Sequence, residues 1–352
     1  MIAENTLVAY RKGFKEVENI EEGDYITTAL GYEHVEEKEI DDLVPCYEVE
    51  LSDGGKQIVS KSHQFHAIKT DGKSTKKSTV IKLENLEVGD YIRLGNCTTN
   101  NFGEDEDYEK GLKKGILLGD GSYTESMLKS NRISISADGR DEDYVDNLID
   151  LFDITSKPQY RKDSNGVQLT ISGGQKVAKE LGLTPTDTYN KFVDLEDIKT
   201  KEIIGLIDGM LLSDGSINMW NTNPKIRFHT TSDELAQDIR SLFLAIGIHA
   251  RISTSSKSSG KINGRIIPHN YPVHEVHING EGLRRYITHS KAYKYNDRYK
   301  EKIHDLSINY LLTGNTWKAK IKSIDPIGDK KVFALHTDFS DTSICNGYVN
   351  SI

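Results

Sequence analysis

The chain is short of cysteine, has no long apolar run and carries no surplus of positive charge. Its three cysteines, Cys46, Cys97 and Cys345, lie far apart, and none belongs to a CxxC pair. That argues against a disulfide framework or a zinc finger and favours a reducing compartment. No apolar stretch is long enough to span a bilayer, so no membrane contact is expected. The opening Met1-Ile-Ala-Glu-Asn-Thr has neither a basic segment nor an apolar core of secretory length. An intracellular protein, cytoplasmic or nuclear and not secreted, is the expectation. The net charge of −9 at first sight opposes a polyanionic partner. Its distribution changes that reading, because residues 251–302 hold eleven Lys/Arg against four Asp/Glu, a local net of +7. A basic stripe is what phosphate contact needs, whatever the total.

The 352 residues allow two domains or three. Residues 1–100 read as β-rich, with short runs such as Thr6-Leu-Val-Ala-Tyr and Cys46-Tyr-Glu-Val-Glu-Leu separated by turn signals at Arg11-Lys-Gly and Ser52-Asp-Gly-Gly. The acidic stretch Asn101-Phe-Gly-Glu-Asp-Glu-Asp-Tyr reads as a linker. Residues 110–312 alternate longer helices with strand pairs. The tail returns to strands at Lys318-Ala-Lys-Ile-Lys-Ser-Ile and Lys331-Val-Phe-Ala-Leu. A β domain split by an insertion would bring its two ends together, an easy arrangement for an inserted domain.

Within the insertion, Gly115-Ile-Leu-Leu-Gly-Asp-Gly returns as Gly209-Met-Leu-Leu-Ser-Asp-Gly. Each copy is followed by a strand (Arg132-Ile-Ser-Ile-Ser, Arg227-Phe-His-Thr-Thr), a helix through Tyr144–Phe152 or Leu235–Phe243, and further strands. The second of these helices opens at Thr231-Ser-Asp-Glu, a capping-box pattern. This is a duplication of large units rather than a solenoid of short ones. Gly115 and Gly119, like Gly209 and Ser213, are four apart and share a helix face, and Gly205 extends the second stripe. Small residues at that spacing let two helices meet backbone to backbone.

Each copy ends with one acid, Asp120 or Asp214, before a glycine that reads as a C-terminal stop. A carboxylate at a helix C-terminus faces the negative end of the dipole. Two brought together repel further, and a divalent cation removes the conflict. Mg²⁺ is typically held by one or two carboxylates with water and phosphates. Two similar halves sharing one axis also suit a partner with two-fold character, and double-stranded DNA is the obvious one.

These motifs resemble the paired motifs of the LAGLIDADG homing endonucleases, and the repeat carries the resemblance across 110–312. The flanks resemble the Hint domain of self-splicing inteins. Met1 stands where such a domain has its nucleophile, Ser60-Lys-Ser-His63 stands at the Thr-x-x-His motif, and Asn350-Ser351 stands near the terminal asparagine. Val349 replaces the usual histidine before that asparagine; with Asn346-Gly-Tyr-Val aligned instead, Ser351-Ile352 replace the His-Asn pair. A thioether has no ionisable S–H or O–H to begin an acyl shift, and Met1 also looks like a start-codon product with nothing before it to splice. The whole therefore resembles a free-standing intein derivative whose splicing residues Met1, His63 and Asn350 are vestigial.

The resemblance implies an α+β chain in which a Hint domain (1–105 and 313–352) is split by an endonuclease domain (106–312). The latter is a pseudo-two-fold pair of αββαββα repeats, about 106–198 and 199–312. It implies a metal-dependent DNA endonuclease that cuts a long specific site and leaves 3′ overhangs, acting as a monomer. Asp120 and Asp214 would hold Mg²⁺ (or Mn²⁺) with the backbone oxygens of Gly119 and Ser213. A basic residue is expected beside each centre, and Lys191 and Lys294 match best by position. Curved sheets over the major groove would present Arg132, Arg161, Lys162, Arg227, His229 and Arg251, with Lys257, Lys261 and Arg265 on a hairpin. Two other classes stay open: a protein-splicing element whose residue-1 nucleophile was lost or engineered away, and a nucleic-acid-binding module of the intron-maturase kind that no longer cuts.

Overall fold

Period-two burial writes the strands of the flanking segments. Along residues 56–59 and Gln64–Ile68, Gln57, Val59, Phe65 and Ala67 turn inward while Lys56, Ile58, Gln64, His66 and Ile68 lie nearer the surface. The computed structural model describes residues 1–351 except 71–77, 96–102, 163, 219–223, 256–259, 263–264, 268–270, 297–317 and 341, and only the backbone of 260–262, 265–267 and 281. Strands drawn from residues 2–93 and 318–351 share one sheet of twelve. Its spine is an antiparallel pair of 20-residue strands, Tyr32–Leu51 and Lys318–Thr337. The pairing slips at four points, one of them between Pro326 and Gly328, where proline cannot donate to the ladder. The sequence suggested shorter, separate strands here. Exposed acids at Glu36, Glu37, Glu39, Asp41 and Asp42 interrupt any apolar alternation along the ribbon, so periodicity gives no sign that it continues.

Among the described residues between these segments are seven helices: α1 (Asp105–Gly119), α2 (Glu125–Lys129), α3 (Glu142–Leu151), α4 (Gly174–Leu181), α5 (Thr200–Leu212), α6 (Asp233–Ala245) and α7 (Gly280–His289). Two four-stranded antiparallel sheets accompany them. One is ordered Gly121–Ser122, Arg132–Asp138, Gly166–Ser172, Gln159–Tyr160, and the other Ser216–Asn218, Lys225–Thr230, Val273–Asn279, Arg251–Ser255. The two sheets match strand for strand. The fold is a strand-rich α+β fold, as the sequence suggested.

Two local expectations need correction. The acidic stretch read as a linker supplies the first turn of α1, with Asp105, Glu106 and Asp107 at its N-terminal end. There the helix dipole favours negative charge, and Glu104 N–H donates to Asp107 Oδ2 at 2.7 Å. The N-cap of α6 is Ser232, whose Oγ accepts from Leu235 N–H at 3.1 Å. The helix thus begins one residue later than Thr231 would set it, and Glu234 falls out of the capping-box position.

α1 and α5 pack through reciprocal glycine contacts. A Cβ on Gly115 would stand 2.1 Å from Leu206 O, and one on Gly209 would stand 2.2 Å from Leu112 O. The next turn repeats the exchange, with Gly111 against Glu202 O and Gly205 against Tyr108 O, each at 2.0 Å. Every contact has its partner under the same sequence offset, as a two-fold axis between the helices demands. The sequence had shown Gly205 but not Gly111.

The segments that follow α4 and α7 are pinned to the frame by buried polar groups. Asp208 in α5, fully buried, accepts from Tyr108 Oη, Tyr286 Oη, Ser290 Oγ and the Lys291 N–H. In the first half, Ser232 Oγ donates to Lys191 O at 2.7 Å and Asp238 Oδ2 accepts from Val193 N–H at 2.7 Å. These two bonds fix the backbone on either side of Phe192 and so place the Lys191 side chain.

Two predictions follow from this frame. Alanine is a better helix former than glycine by about 1 kcal/mol, but a methyl pressed into a facing backbone carbonyl costs about 3 kcal/mol or more. Gly115→Ala and Gly209→Ala are therefore expected to destabilise the chain in urea unfolding, and parental stability in both would mean the backbones do not meet as described. Asp238 supplies the second. Burial pushes its pKa up to about 7, with Glu234 and Asp194 adding and Val193 N–H and Lys114 opposing. An unfolded aspartate titrates near 4. Between those values the folded chain holds a proton that the unfolded chain lacks. The stabilising contribution is complete below pH 4 and disappears as pH rises through 7. Relative to Asp238→Asn, the parent should lose up to about 4 kcal/mol between pH 4 and pH 8, and parallel pH profiles for the two would remove this role.

Candidate functional site

The glycine contact continues to the C-terminal ends of the two helices. A Cβ on Gly119 would stand 2.0 Å from Ser213 Oγ and 3.3 Å from Asp214 N, so the two ends abut. Asp120 is the C-cap of α1 and donates its N–H to Ile116 O at 3.0 Å. Ser213 caps α5 and returns its hydroxyl to Gly209 O and Met210 O. The glycines after the acids do not act as left-handed stops. Neither Gly121 nor Gly215 has a positive φ. A Cβ there would meet the preceding turn, Leu117 O at 2.3 Å or Leu211 Cα at 2.5 Å. They are glycines because the chain folds back tightly on its own helix.

Lys191 answers the excess negative potential at this crossing. Its Nζ lies 2.6 Å from Leu118 O and 3.2 Å from both Gly119 O and Gly121 O, at the carbonyl end of α1. The side chain is 6% exposed. Burial lowers its pKa, and attraction to Asp214 and then Asp120 works against that. Both acids therefore act on a single buried ammonium.

Asp214 opens onto a concavity of about 210 Å³ shared with Gly119, Thr188, Lys191, His229 and Thr230. Its side chain reaches solvent through the mouth, yet protein surrounds it on the other sides. Burial raises its pKa, and Lys191 and His229 pull it back. His229 was expected on the sheet face. It also belongs to the wall around Asp214, a placement that no sequence spacing signals.

Lys294 stands elsewhere. It is exposed on a short 3-10 turn, Ala292–Lys294. The turn is anchored by Lys291, whose N–H meets Asp208 and whose Nζ lies 3.7 Å from Asp105 at the start of α1. Fifteen residues of α1 put about 22 Å between that end and Asp120. Sequence position after the second half's strands had suggested equivalence to Lys191, and the backbone path does not deliver it.

The remaining candidates divide by face. Arg132 is exposed at the start of its strand, and Arg161 and Lys162 are exposed just past the edge strand Gln159–Tyr160. Arg227, His229 and Arg251 share the outward face of the second sheet. Lys257 lies outside the described residues, as do the side chains of Lys261 and Arg265 on the hairpin Gly260–Ile262 and Arg265–Ile267.

For a divalent ion, the donors at the crossing are Asp120, Asp214 and nearby backbone oxygens. Among the described residues no three His, Cys, Asp or Glu side chains gather as a metal cluster. Two carboxylates fit the sparse protein ligation that Mg²⁺ accepts when phosphates and water complete its shell. They do not fit a structural zinc site.

A second constellation lies in the strand-rich part. His63 is buried, its Nδ1 3.1 Å from the Met1 amine and its Nε2 2.8 Å from Asn350 Oδ1. Burial drives its pKa well down, the neighbouring amine adds to that, and Asn350 opposes it. The imidazole is neutral there, with a donor or acceptor on either side. Ser351 lines the same small cavity as Met1, His63 and Asn350. Three residues distant in sequence, singled out on motif positions alone, thus meet.

Among known proteins, residues 201–290 match the family model described as a LAGLIDADG-like domain. The chain is 24% identical over 289 residues to a DNA polymerase of Thermococcus kodakarensis, across 75% of this chain and 16% of that protein. It thus spans about a sixth of the length of that curated relative. Similar solved structures include the gp41-1 intein, with 22% identity, 28% of this chain, 70% of that chain and a TM-score of 0.23. Another is the homing endonuclease I-DmoI in complex with DNA and Ca, with 17% identity, 53% of this chain, 88% of that chain and a TM-score of 0.35. At such scores no residue correspondence follows. Among the described residues no helix is long and apolar enough to cross a membrane. The stretch matched by the LAGLIDADG-like domain model, residues 201–290, carries nearly all of α5 together with Asp214, the second sheet and α7.

Proposed function

We propose that this chain is a site-specific endonuclease that hydrolyses both strands of double-stranded DNA and leaves 3′ overhangs. The observation that carries the reading is the abutting of two acid-bearing helix ends at a two-fold crossing, with both acids acting on the ammonium of Lys191. The proposed division sets 1–105 and 313–352 as a Hint-like module around 106–312, whose halves meet at residue 198/199. A monomer suffices, because one chain supplies both halves.

In this reading Asp120 and Asp214 hold Mg²⁺ or Mn²⁺ with the backbone oxygens of Gly119 and Ser213. When bound, the metal polarises the scissile phosphate, lowers the pKa of water and stabilises the leaving oxygen. The chain's own groups do the rest. The glycine-packed helices hold the two carboxylates at neighbouring strands of the duplex. Lys191 offsets the negative potential at the carbonyl end of α1 and opposes the rise that burial imposes on the Asp214 pKa. The two sheets lie along the groove, where Arg–guanine pairs are the strongest contacts to base edges.

Asp120→Asn or Asp214→Asn should abolish double-strand cleavage of a DNA selected from a randomised library with Mg²⁺, while binding of that DNA persists. Full-rate cutting by either variant would take these acids out of the reaction.

A second reading, protein splicing, is favoured by one observation: His63 bridges the Met1 amine and Asn350. Met1 has no nucleophilic hydrogen to lose. The chain fused between two flanking sequences is expected to give no ligated product, and Met1→Cys restores ligation if the rest of the centre is intact. Ligation with Met1 in place would overturn the view that this centre is vestigial.

A further inference from the structure

The outward face of the second sheet holds an acid where a DNA-facing surface should have none. Ile226, Phe228, Ile252, Val276 and Ile278 turn into the core. The alternate positions, Arg227, His229, Arg251, Ser253, Glu275 and His277, therefore share the opposite side. In the register, Glu275 stands between His229 and Ser253, and His277 between Arg227 and Arg251. Glu275 Oε2 lies 3.4 Å from Arg227 Nη1 and 3.3 Å from His229 Nε2, and its Oε1 lies 3.3 Å from His277 Nδ1. The matching positions on the first sheet are neutral: Ser134 pairs with Thr170 and Ser136 with Gln168. The hub belongs to one half only.

A carboxylate near phosphates weakens binding to any duplex. Its position here compensates through geometry. An arginine on a flexible stem contacts whichever phosphate is nearest, and phosphate contacts carry no sequence information. Held at one Nη by a carboxylate, the guanidinium keeps further N–H donors in a fixed plane. That is the presentation that guanine O6 and N7 require. The same carboxylate subtracts charge that would otherwise draw random DNA.

We propose that Glu275 is a specificity-determining residue: it fixes Arg227 and His229 for base reading and suppresses their sequence-blind attraction to phosphate. This rests on the DNA-cleaving reading above, and the experiment separates the two. Duplexes are selected from a randomised pool with the parent chain. The affinities of the selected duplex and of a scrambled duplex are then measured over a range of salt concentrations. For Glu275→Gln, which keeps the shape and removes the charge, affinity for the scrambled duplex should rise. Preference for the selected duplex should fall about tenfold, and the log–log salt slope should steepen by about one. Arg227→Lys should lose the same preference, and the double variant should lose no more than either alone. An unchanged preference and slope in Glu275→Gln, or additive losses in the double variant, would overturn the role of Glu275 and leave the nuclease reading standing. A parent chain that prefers no duplex over the scrambled one would overturn both. Should Glu275→Gln fail to fold, Arg227→Lys decides, since an unaltered preference there removes the residue through which Glu275 acts.

Discussion

The contact of α1 with α5 at backbone distance is the constraint on which the rest of the molecule depends. Gly111, Gly115 and Gly119 on one helix and Gly205, Gly209 and Ser213 on the other leave no room for side chains between them. Two helices that close present their C-terminal carbonyls, and whatever follows, to the same small volume. The acids at 120 and 214 are neighbours for that reason. The cost is concentrated negative potential from two dipole ends and two carboxylates, and Lys191 is buried beside them in response. Its own placement depends on Ser232 and Asp238 in the other half. The site is thus assembled across the axis, with each half completing its partner.

The frame repeats more faithfully than its fittings. Lys114 in α1 and Asp208 in α5 occupy the same place under the repeat, and both are buried, with opposite charge. Asp208 gathers two tyrosines, a serine and a backbone N–H. Lys114, its pKa lowered by burial, is drawn towards Glu202, Asp194 and Asp238. Backbone packing leaves room only for glycine at 111, 115, 205 and 209, so the two halves stay alike there. One turn away the environment asks only that buried charge be answered, and the two halves answer it differently. The outward faces of the sheets diverge further: Ser134, Ser136, Gln168 and Thr170 of the first stand where the second has Arg227, His229, Glu275 and His277.

The parts of this architecture legible in the sequence are those set by local chemistry. Glycine spacing, acid–glycine pairs and apolar periodicity gave the helix crossing, the two acids and the matching strand order, and motif position gave His63 and Asn350. What was not legible depends on distant segments meeting. The ribbon Tyr32–Leu51 with Lys318–Thr337 is polar along its middle and leaves no periodic trace. Lys294 looked equivalent to Lys191 by distance from the strands. The path after α7 is instead set by Asp208, whose four donors come from α1 and from the stretch 286–291. Glu275 is one acid in an alternating strand until the register places it opposite His229.

One such distant meeting joins the strand-rich part to the helical part. Arg240 of α6 is 2% exposed and donates to Asp53 Oδ2 at 2.8 Å, Tyr348 Oη at 2.7 Å and Asn346 O at 2.8 Å. Tyr348 Oη in turn donates to Asp53 Oδ1 at 2.6 Å. Burial works to raise the pKa of Asp53, but Arg240 and the tyrosine hold it below its ordinary value. Breaking one member of such a buried set strands the others without water, at a cost of about 3–5 kcal/mol. The glycines alongside remove any slack: a Cβ on Gly54 would meet Ile252, and one on Gly347 would meet Leu244. Tyr348 lies two residues before Asn350, which contacts His63. The strand that completes the His63 cluster is therefore held by the same arginine that anchors α6. Since α6 also carries Asp238, which pins the segment of Lys191, the two clusters share one rigid support although they share no atoms. The strand-rich part is thus a structural member of the helical site, through Arg240 and Asp238 on one helix.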